Sequence, residues 1–99
     1  MPLEILAGLL VTDRDLYARY RDEMRPLLDA AGGGFRYDLE IARTLKSEAP
    51  HEINRVFAIY FPDRDTKDRF FSNPEYLEIR ARLFQKSVAG TTILAEYLR

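Results

Sequence analysis

The sequence contains no cysteine and only one histidine, His51. The absence of cysteine excludes disulfide bonds, thiolate nucleophiles and thiolate metal ligands. Any mechanism that needs an imidazole, whether for base catalysis or for haem ligation, would have to use His51. Because this histidine follows a proline in a charged segment, we expect a solvated loop residue without a catalytic role.

The chain also lacks a long apolar run and an excess of either charge. The N-terminal apolar run Leu3–Val11 is too short for a membrane span, contains Glu4 and has no basic flank, so it is not a signal peptide either. Fifteen Lys and Arg residues are balanced by sixteen Asp and Glu residues, and the net charge is −1. Nucleic-acid binding needs clustered positive charge. We therefore expect a cytoplasmic protein with neither a nucleic-acid nor a membrane partner.

Composition indicates one folded domain over residues 1–99. Hydrophobic residues make up 46% of the chain and charged residues 31%, which is typical of a globular protein and not of a disordered one. A chain of this length can bury only a limited core, so association with another copy would add stability.

Four segments of the sequence have strand patterns. Leu3–Val11 and Arg55–Phe61 are apolar at nearly every position, which predicts strands that are buried on both faces. Residues 91–98 predict a last strand, with Glu96 as its one charged interior residue. Residues 35–44 alternate between apolar and charged side chains, which predicts an edge strand with one wet face. The two alternating sets are Phe35, Tyr37, Leu39 and Ile41 against Arg36, Asp38 and Glu40.

Two segments have helix patterns. In residues 16–31 apolar side chains recur every three or four positions, with Thr12 or Asp13 as the cap before them and Gly32 as a stop after them. The polar side of this helix carries Arg19, Arg21, Asp22 and Arg25. Pro26 lies inside this helix, and we expect a kink or a break just before it. The second helical region begins at residues 63–65, restarts at an Asn-Pro pair and ends at a glycine, residue 90.

The resulting order, βαββαβ, predicts an α+β domain of the ferredoxin-like type, with an antiparallel four-stranded sheet and helices on one face. This topology places the first and third strands at the centre, and these are the two strands that are apolar on both faces. The helices would leave the other face of the sheet open. We expect a homodimer through that open sheet face; long loops or a different partner are the alternatives.

The order of several segments resembles one known family. These segments are the first helix with its ending Pro-Leu-Leu-Asp-Ala-Ala-Gly-Gly-Gly, the strand Arg-Val-Phe-Ala-Ile-Tyr-Phe-Pro, and the run Phe-Phe-Ser-Asn-Pro-Glu-Tyr. Over about residues 3 to 98 the chain is similar to the dimeric α/β-barrel family catalogued as domain of unknown function 1330. The resemblance implies a ferredoxin-like fold that pairs into a barrel-shaped dimer. It also implies that the chain belongs to a superfamily that includes cofactor-independent monooxygenases, haem-degrading enzymes, lactone isomerases and ligand-sensing domains.

Aromatic side chains give the best indication of a binding pocket. The chain has six tyrosines and six phenylalanines, and tyrosines combine an apolar ring with a polar tip. We predict that Tyr20, Tyr37 and Tyr60 line a cleft between the sheet and the helices, where small ligands bind in proteins of this kind. Ordinary core packing is the alternative for each of them.

Glu96 completes this candidate ligand-binding set, because it is a carboxylate within an apolar run. Its alternative role is structural. An ion pair across the sheet or the dimer would satisfy it, with Arg36, Arg43 or Arg55 as the expected partner.

We therefore expect a homodimer that binds a small, partly apolar molecule in the cleft, without a cofactor or a metal ion. A cofactor-independent oxygenase or isomerase is one form of this hypothesis. The other is a non-catalytic dimeric module for binding or assembly. No pattern of nucleophile and base, metal ligands or phosphate loop decides between them, so no catalytic residue is assigned.

Overall fold

The computed structural model describes residues 1–99 and contains one antiparallel sheet with the strand order β2-β3-β1-β4. This is the ferredoxin-like arrangement that the sequence predicts, with the two doubly apolar strands at the centre. The elements are β1 (Leu3–Val11), α1 (Arg14–Ala30), β2 (Gly34–Glu40), β3 (Arg55–Phe61), α2 (Arg64–Ser72), α3 (Pro74–Ile79), a π-helical turn (Arg80–Phe84), α4 (Gln85–Ser87) and β4 (Val88–Leu98).

The core lies between the sheet and the helices. Alternate residues of the central strands point toward the helices, and Ile5 of β1 pairs with Ile59 of β3 in this layer. From the helical side, Met24 and Leu28 of α1 pack against them and are almost fully buried. Burial of each such side chain contributes roughly 1.5–3 kcal/mol, so this layer is the main source of stability.

Helix α1 runs without interruption through Pro26, so the expected break is absent. The side chain of Asp13 caps its start by accepting a hydrogen bond from the Leu16 N–H at 3.0 Å, and Gly32, with φ of 76°, follows its end. Proline removes only the hydrogen bond to the carbonyl of Asp22. Asp22 and Pro26 are both exposed, so water can donate a hydrogen bond to that carbonyl.

No helix of the structure is long and apolar enough to cross a bilayer.

Strand β2 is shorter than predicted and contains a β-bulge. Phe35 lies opposite Ile59, but Tyr37 lies opposite the next residue of β3, so Arg36 is the extra residue of the bulge. An inserted residue reverses the alternation of everything after it. Tyr37 therefore joins the open face and Asp38 the helix face, which corrects the predicted grouping of Tyr37 with Phe35.

The second helical region restarts where the sequence predicts. The side chain of Asn73 accepts a hydrogen bond from the Glu75 N–H at 2.9 Å, and Pro74 is the first residue of α3. The helical layer ends at Ser87 and not at Gly90, because the Ser87 carbonyl accepts a hydrogen bond from the Thr12 N–H at 2.8 Å. Strand β4 accordingly begins three residues earlier than the predicted residue 91.

The segment of residues 41–54 folds back over one end of the open face. The side chain of Ile53 lies against Gly8, and the ring of His51 lies against Gly90. Nε2 of His51 is 2.9 Å from the Thr92 hydroxyl. His51 therefore lies in a loop, as the sequence predicts, but it is partly buried and hydrogen-bonded. Part of the open face is covered by this segment of the same chain.

Candidate functional site

A cleft of about 330 Å³ lies between the sheet and the helical layer. Its floor comes from the helix-facing residues of β1 and β3, including Ala7 and Phe57, and its walls come from α1, α3 and the π-helical turn. Thirteen of its eighteen lining residues are hydrophobic. A mostly apolar cleft of this size with a few polar groups is the usual form of a small-ligand pocket.

Two buried tyrosines form one polar point of the cleft. The hydroxyls of Tyr20 and Tyr76 are 2.8 Å apart, and burial raises the pKa of both phenols above their usual value. Both therefore stay protonated at neutral pH. Since one hydrogen bond joins two hydroxyls, it uses one of the two hydrogens and leaves the other to donate.

Arg21 forms the second polar point and is only 5% exposed. Its Nε donates a hydrogen bond to the Tyr17 hydroxyl at 2.9 Å, and its guanidinium carbon lies 3.7 Å from the ring centre of Phe35. Its Nη2 is 3.3 Å from a carboxylate oxygen of Asp38. That contact lacks hydrogen-bond geometry, so Nη2 is a buried donor without an acceptor.

Asp38 is shared between two arginines. Arg55 holds both of its oxygens, with Nε and Nη2 at 2.7 and 2.8 Å, while Arg21 makes only the longer contact. Partial burial pushes the pKa of Asp38 upward, but the hydrogen bonds from Arg55 and the charges of both arginines outweigh it and lower the pKa below the usual 3.8. The cluster therefore has two guanidinium groups and one carboxylate.

Glu96 lies at the mouth of the cleft and is held by ion pairs. Its carboxylate oxygens are 3.0 Å from Arg64 and 3.8 Å from Lys67, both on α2. The expected type of interaction is therefore present, but the expected partners were wrong. Arg36 instead binds Glu4 at 2.5 Å and Arg55 binds Asp38.

Of the four predicted ligand-binding residues, the structure brings only Tyr20 and Glu96 to the cleft. Tyr37 is on the opposite face because of the bulge in β2. Tyr60 is there because it alternates with the core residue Ile59. Their placement in the cleft is corrected, while ligand binding by any of the four stays a prediction.

The open face carries its own polar cluster around Glu4, which is only 2% exposed. Its carboxylate accepts hydrogen bonds from Tyr97, from Arg36 and, at 3.1 Å, from Arg99. The hydrogen bond from Tyr97 contributes most to lowering the pKa of Glu4 below its usual value, against the effect of burial. The cluster satisfies a buried carboxylate. No three His, Asp or Glu residues in the structure come together in a way that could hold a metal ion.

Sequence reasoning missed Arg21 and the π-helical turn. Arg21 was grouped with the polar side of α1, although it lies four residues after Tyr17 and three before Met24, which is the spacing of one helix face. The signal for Arg21 was therefore present. The π-helical turn brings Arg80 and Phe84 to the cleft, and nothing in the sequence pattern indicates its extra residue.

The fold and the cleft define a ferredoxin-like α+β protein with an aromatic cleft between sheet and helices. The chain belongs to the family described as Domain of unknown function (DUF1330), whose model matches residues 5–97. No match was found among curated proteins.

Solved structures similar to this chain share its fold at low sequence identity. A protein of unknown function from Rhodopseudomonas palustris is 16% identical, with a TM-score of 0.82 over 99% of this chain and 83% of its own. A dabb family protein with a ferredoxin-like fold from Mesorhizobium loti is 12% identical, with a TM-score of 0.64 over 99% and 96%. A dimeric protein of unknown function and ferredoxin-like fold from Bacteroides fragilis is 10% identical, with a TM-score of 0.63 over 99% and 96%.

Proposed function

We propose that this protein binds a small, partly apolar molecule in the cleft between its sheet and its helices. The observation that carries the proposal is the combination of apolar walls with two separate polar points, the Tyr20 and Tyr76 hydroxyls and Arg21. A volume of about 330 Å³ is at the lower end of the range of roughly 300–1,000 Å³ for ligand pockets. The ligand is therefore small.

The proposal is binding and not catalysis. A general base needs a pKa near the working pH and a free proton-accepting atom. The buried tyrosines of the cleft have raised pKa values and stay protonated, and the carboxylate of Glu96 is held by Arg64 and Lys67. No observation favours an oxygenase or an isomerase over a binding protein.

The proposal includes a homodimer that forms through the open sheet face. Large apolar side chains remain exposed on this face beside the 41–54 segment, including Tyr37 at 59% and Leu39 at 48%. If the open sheet faces of two protomers stack about a two-fold axis, each protomer covers the exposed apolar side chains of the other. The similar structure from Bacteroides fragilis is described as dimeric, which supports dimer formation. The measured mass of the protein in solution tests it.

A neutral fluorescent probe tests ligand binding in the cleft. N-phenyl-1-naphthylamine carries no charge at neutral pH and fluoresces when it enters an apolar site. We expect saturable binding to the protein, and we expect Thr91→Trp to weaken it at least tenfold, because Thr91 lines the cleft on β4 and is exposed. A large ring there fills the mouth without disturbing the core.

Leu94→Trp is the matched control for the mouth variant. Leu94 is exposed on the same strand but does not line the cleft. Binding should be unchanged in Leu94→Trp. Equal affinity in both variants, or no saturable binding to the unchanged protein, would contradict the proposed function.

A further inference from the structure

Arg21 has more donor capacity than the protein around it accepts. A guanidinium carries five N–H donors. In this structure Nε has its acceptor on Tyr17, whereas Nη2 is buried without one. A buried donor without an acceptor destabilises the fold, and a charged donor does so more strongly than a neutral one. Because the guanidinium group of Arg21 lines the cleft, a ligand there can supply an acceptor that the protein does not.

The charges around Arg21 favour an acceptor with a single negative charge. Arg21 and Arg55 provide two positive charges, and Asp38 provides one negative charge that Arg55 already engages through both oxygens. Arg25 adds one positive charge beside Asp38 and Glu40 adds one negative charge beside Arg55. These two charges cancel, so the cluster is left with one net positive charge. One carboxylate would neutralise it, whereas a dianion would exceed it.

The surroundings of the guanidinium favour an apolar body attached to that carboxylate. The ring of Phe35 stacks on the guanidinium, and the ring of Phe57 has its centre 4.9 Å from the guanidinium carbon. Both rings line the cleft, together with Met24 and Ile59. An aromatic or aliphatic group next to the bound carboxylate would lie against these side chains and lose its contact with water.

We propose that the cleft takes a small aromatic or aliphatic monocarboxylic acid, whose carboxylate accepts a hydrogen bond from the guanidinium group of Arg21. This inference rests on the proposed function, because it names the class of molecule that the cleft binds. Arg80 also lines the cleft and makes no salt bridge. It is the competing cation, and the test has to separate it from Arg21.

A matched pair of probes tests the role of the carboxylate. 3-Phenylpropionate and 3-phenylpropanamide have nearly the same shape and differ by one charge, and phenyl phosphate supplies a dianion. By calorimetry at pH 7 we expect the acid to bind at least tenfold more tightly than the amide and more tightly than phenyl phosphate. Arg21→Gln should remove the preference for the acid over the amide, whereas Arg80→Gln should keep this preference.

The outcomes separate this inference from the proposed function. If N-phenyl-1-naphthylamine binds in the cleft but the acid and the amide bind equally, only the carboxylate assignment fails. It also fails if Arg80→Gln, and not Arg21→Gln, removes the preference, or if phenyl phosphate binds best. If none of these probes binds, the proposed function fails as well.

A spectroscopic measurement on the unchanged protein keeps the test independent of the folding of Arg21→Gln. The Nε–Hε resonance of Arg21, assigned by NMR, should shift on addition of 3-phenylpropionate, and it should shift less at saturating 3-phenylpropanamide. An unchanged resonance at saturating acid would overturn the proposal.

Discussion

At the scale of single residues, Asp38 affects both the stability of the fold and the charge beside the cleft. It is the only carboxylate that contacts both Arg21 and Arg55. Without it, two guanidinium groups would face each other next to the aromatic floor. Asp38 therefore has a structural role, and its loss should have a characteristic dependence on pH.

We predict that Asp38→Asn lowers the free energy of unfolding by about 1–3 kcal/mol at pH 7, since it removes the carboxylate that accepts two hydrogen bonds from Arg55 and forms an ion pair with the buried Arg21. The pKa of Asp38 is lower in the folded protein than its usual value of 3.8. Its stabilising effect is therefore present above about pH 4 and is lost as the pH falls through the folded pKa. The difference from the unchanged protein should shrink below pH 4.

Urea unfolding at pH 7, 5, 4 and 3 measures that difference. Asp29→Asn is the control, because Asp29 is exposed and makes no salt bridge. A loss of stability in Asp38→Asn that is the same at all four pH values would contradict the assigned role.

Some residues were predictable from the sequence and others required the folded chain. Tyr60 could have been assigned correctly, because it follows Ile59 in a strand whose core face was identifiable by alternation. The ion-pair partners of Glu96 could not be predicted from the sequence. Arg64 lies 32 residues away in sequence, and only the packing of α2 against β4 brings the two side chains together.

At the scale of elements, the errors arise where one residue is inserted into a regular repeat. The bulge at Arg36 reverses the alternation in β2, and the π-helical turn shifts the faces of the last helical segment. A period of two or of 3.6 therefore predicts the element correctly and misplaces the side chains after the insertion.

The docked 41–54 segment allows a prediction about two residues in contact. In Gly90→Ala, a methyl group would occupy the space of the His51 ring, so the segment should lift and lose the hydrogen bond of His51 to Thr92. We expect a loss of roughly 1 kcal/mol and faster amide hydrogen exchange in residues 41–54.

A double-mutant cycle provides the check. In the background of His51→Ala the ring is already absent, so Gly90→Ala should cost less than it does in the unchanged protein. Additive losses would show that His51 and Gly90 are not coupled.

At the scale of the whole molecule, the sequence predicts the order of elements and the sheet topology. The two strands that are apolar on both faces, β1 and β3, must lie at the centre of the sheet. Coverage of the open face was not predictable in the same way. The polar 41–54 segment carries only isolated apolar residues such as Ile53, and their contact with Gly8 depends on where the segment folds.

We predict that Leu39→Asp converts the proposed dimer into monomers, because the interface would have to bury an unpaired charge twice. Leu77→Asp is the matched control, because Leu77 on α3 is similarly exposed, at 45% against 48% for Leu39, and lies on the opposite side of the molecule. Light scattering coupled to size-exclusion chromatography at micromolar concentration measures the mass. A dimer in both variants, or a monomer in the unchanged protein, would refute the stacked sheets.

The ion pairs of Glu96 have a kinetic consequence for the proposed ligand. The side walls of the cleft are held by apolar contacts, but its mouth is bordered by Glu96 and Lys67. The carboxylate of Glu96 forms partly exposed ion pairs with Arg64 and with Lys67. Salt screens such pairs, with a Debye length of about 10 Å at 0.1 M, and leaves apolar contacts largely intact. Ionic strength should therefore change how fast a neutral ligand enters and leaves the cleft more than it changes how tightly the cleft holds it.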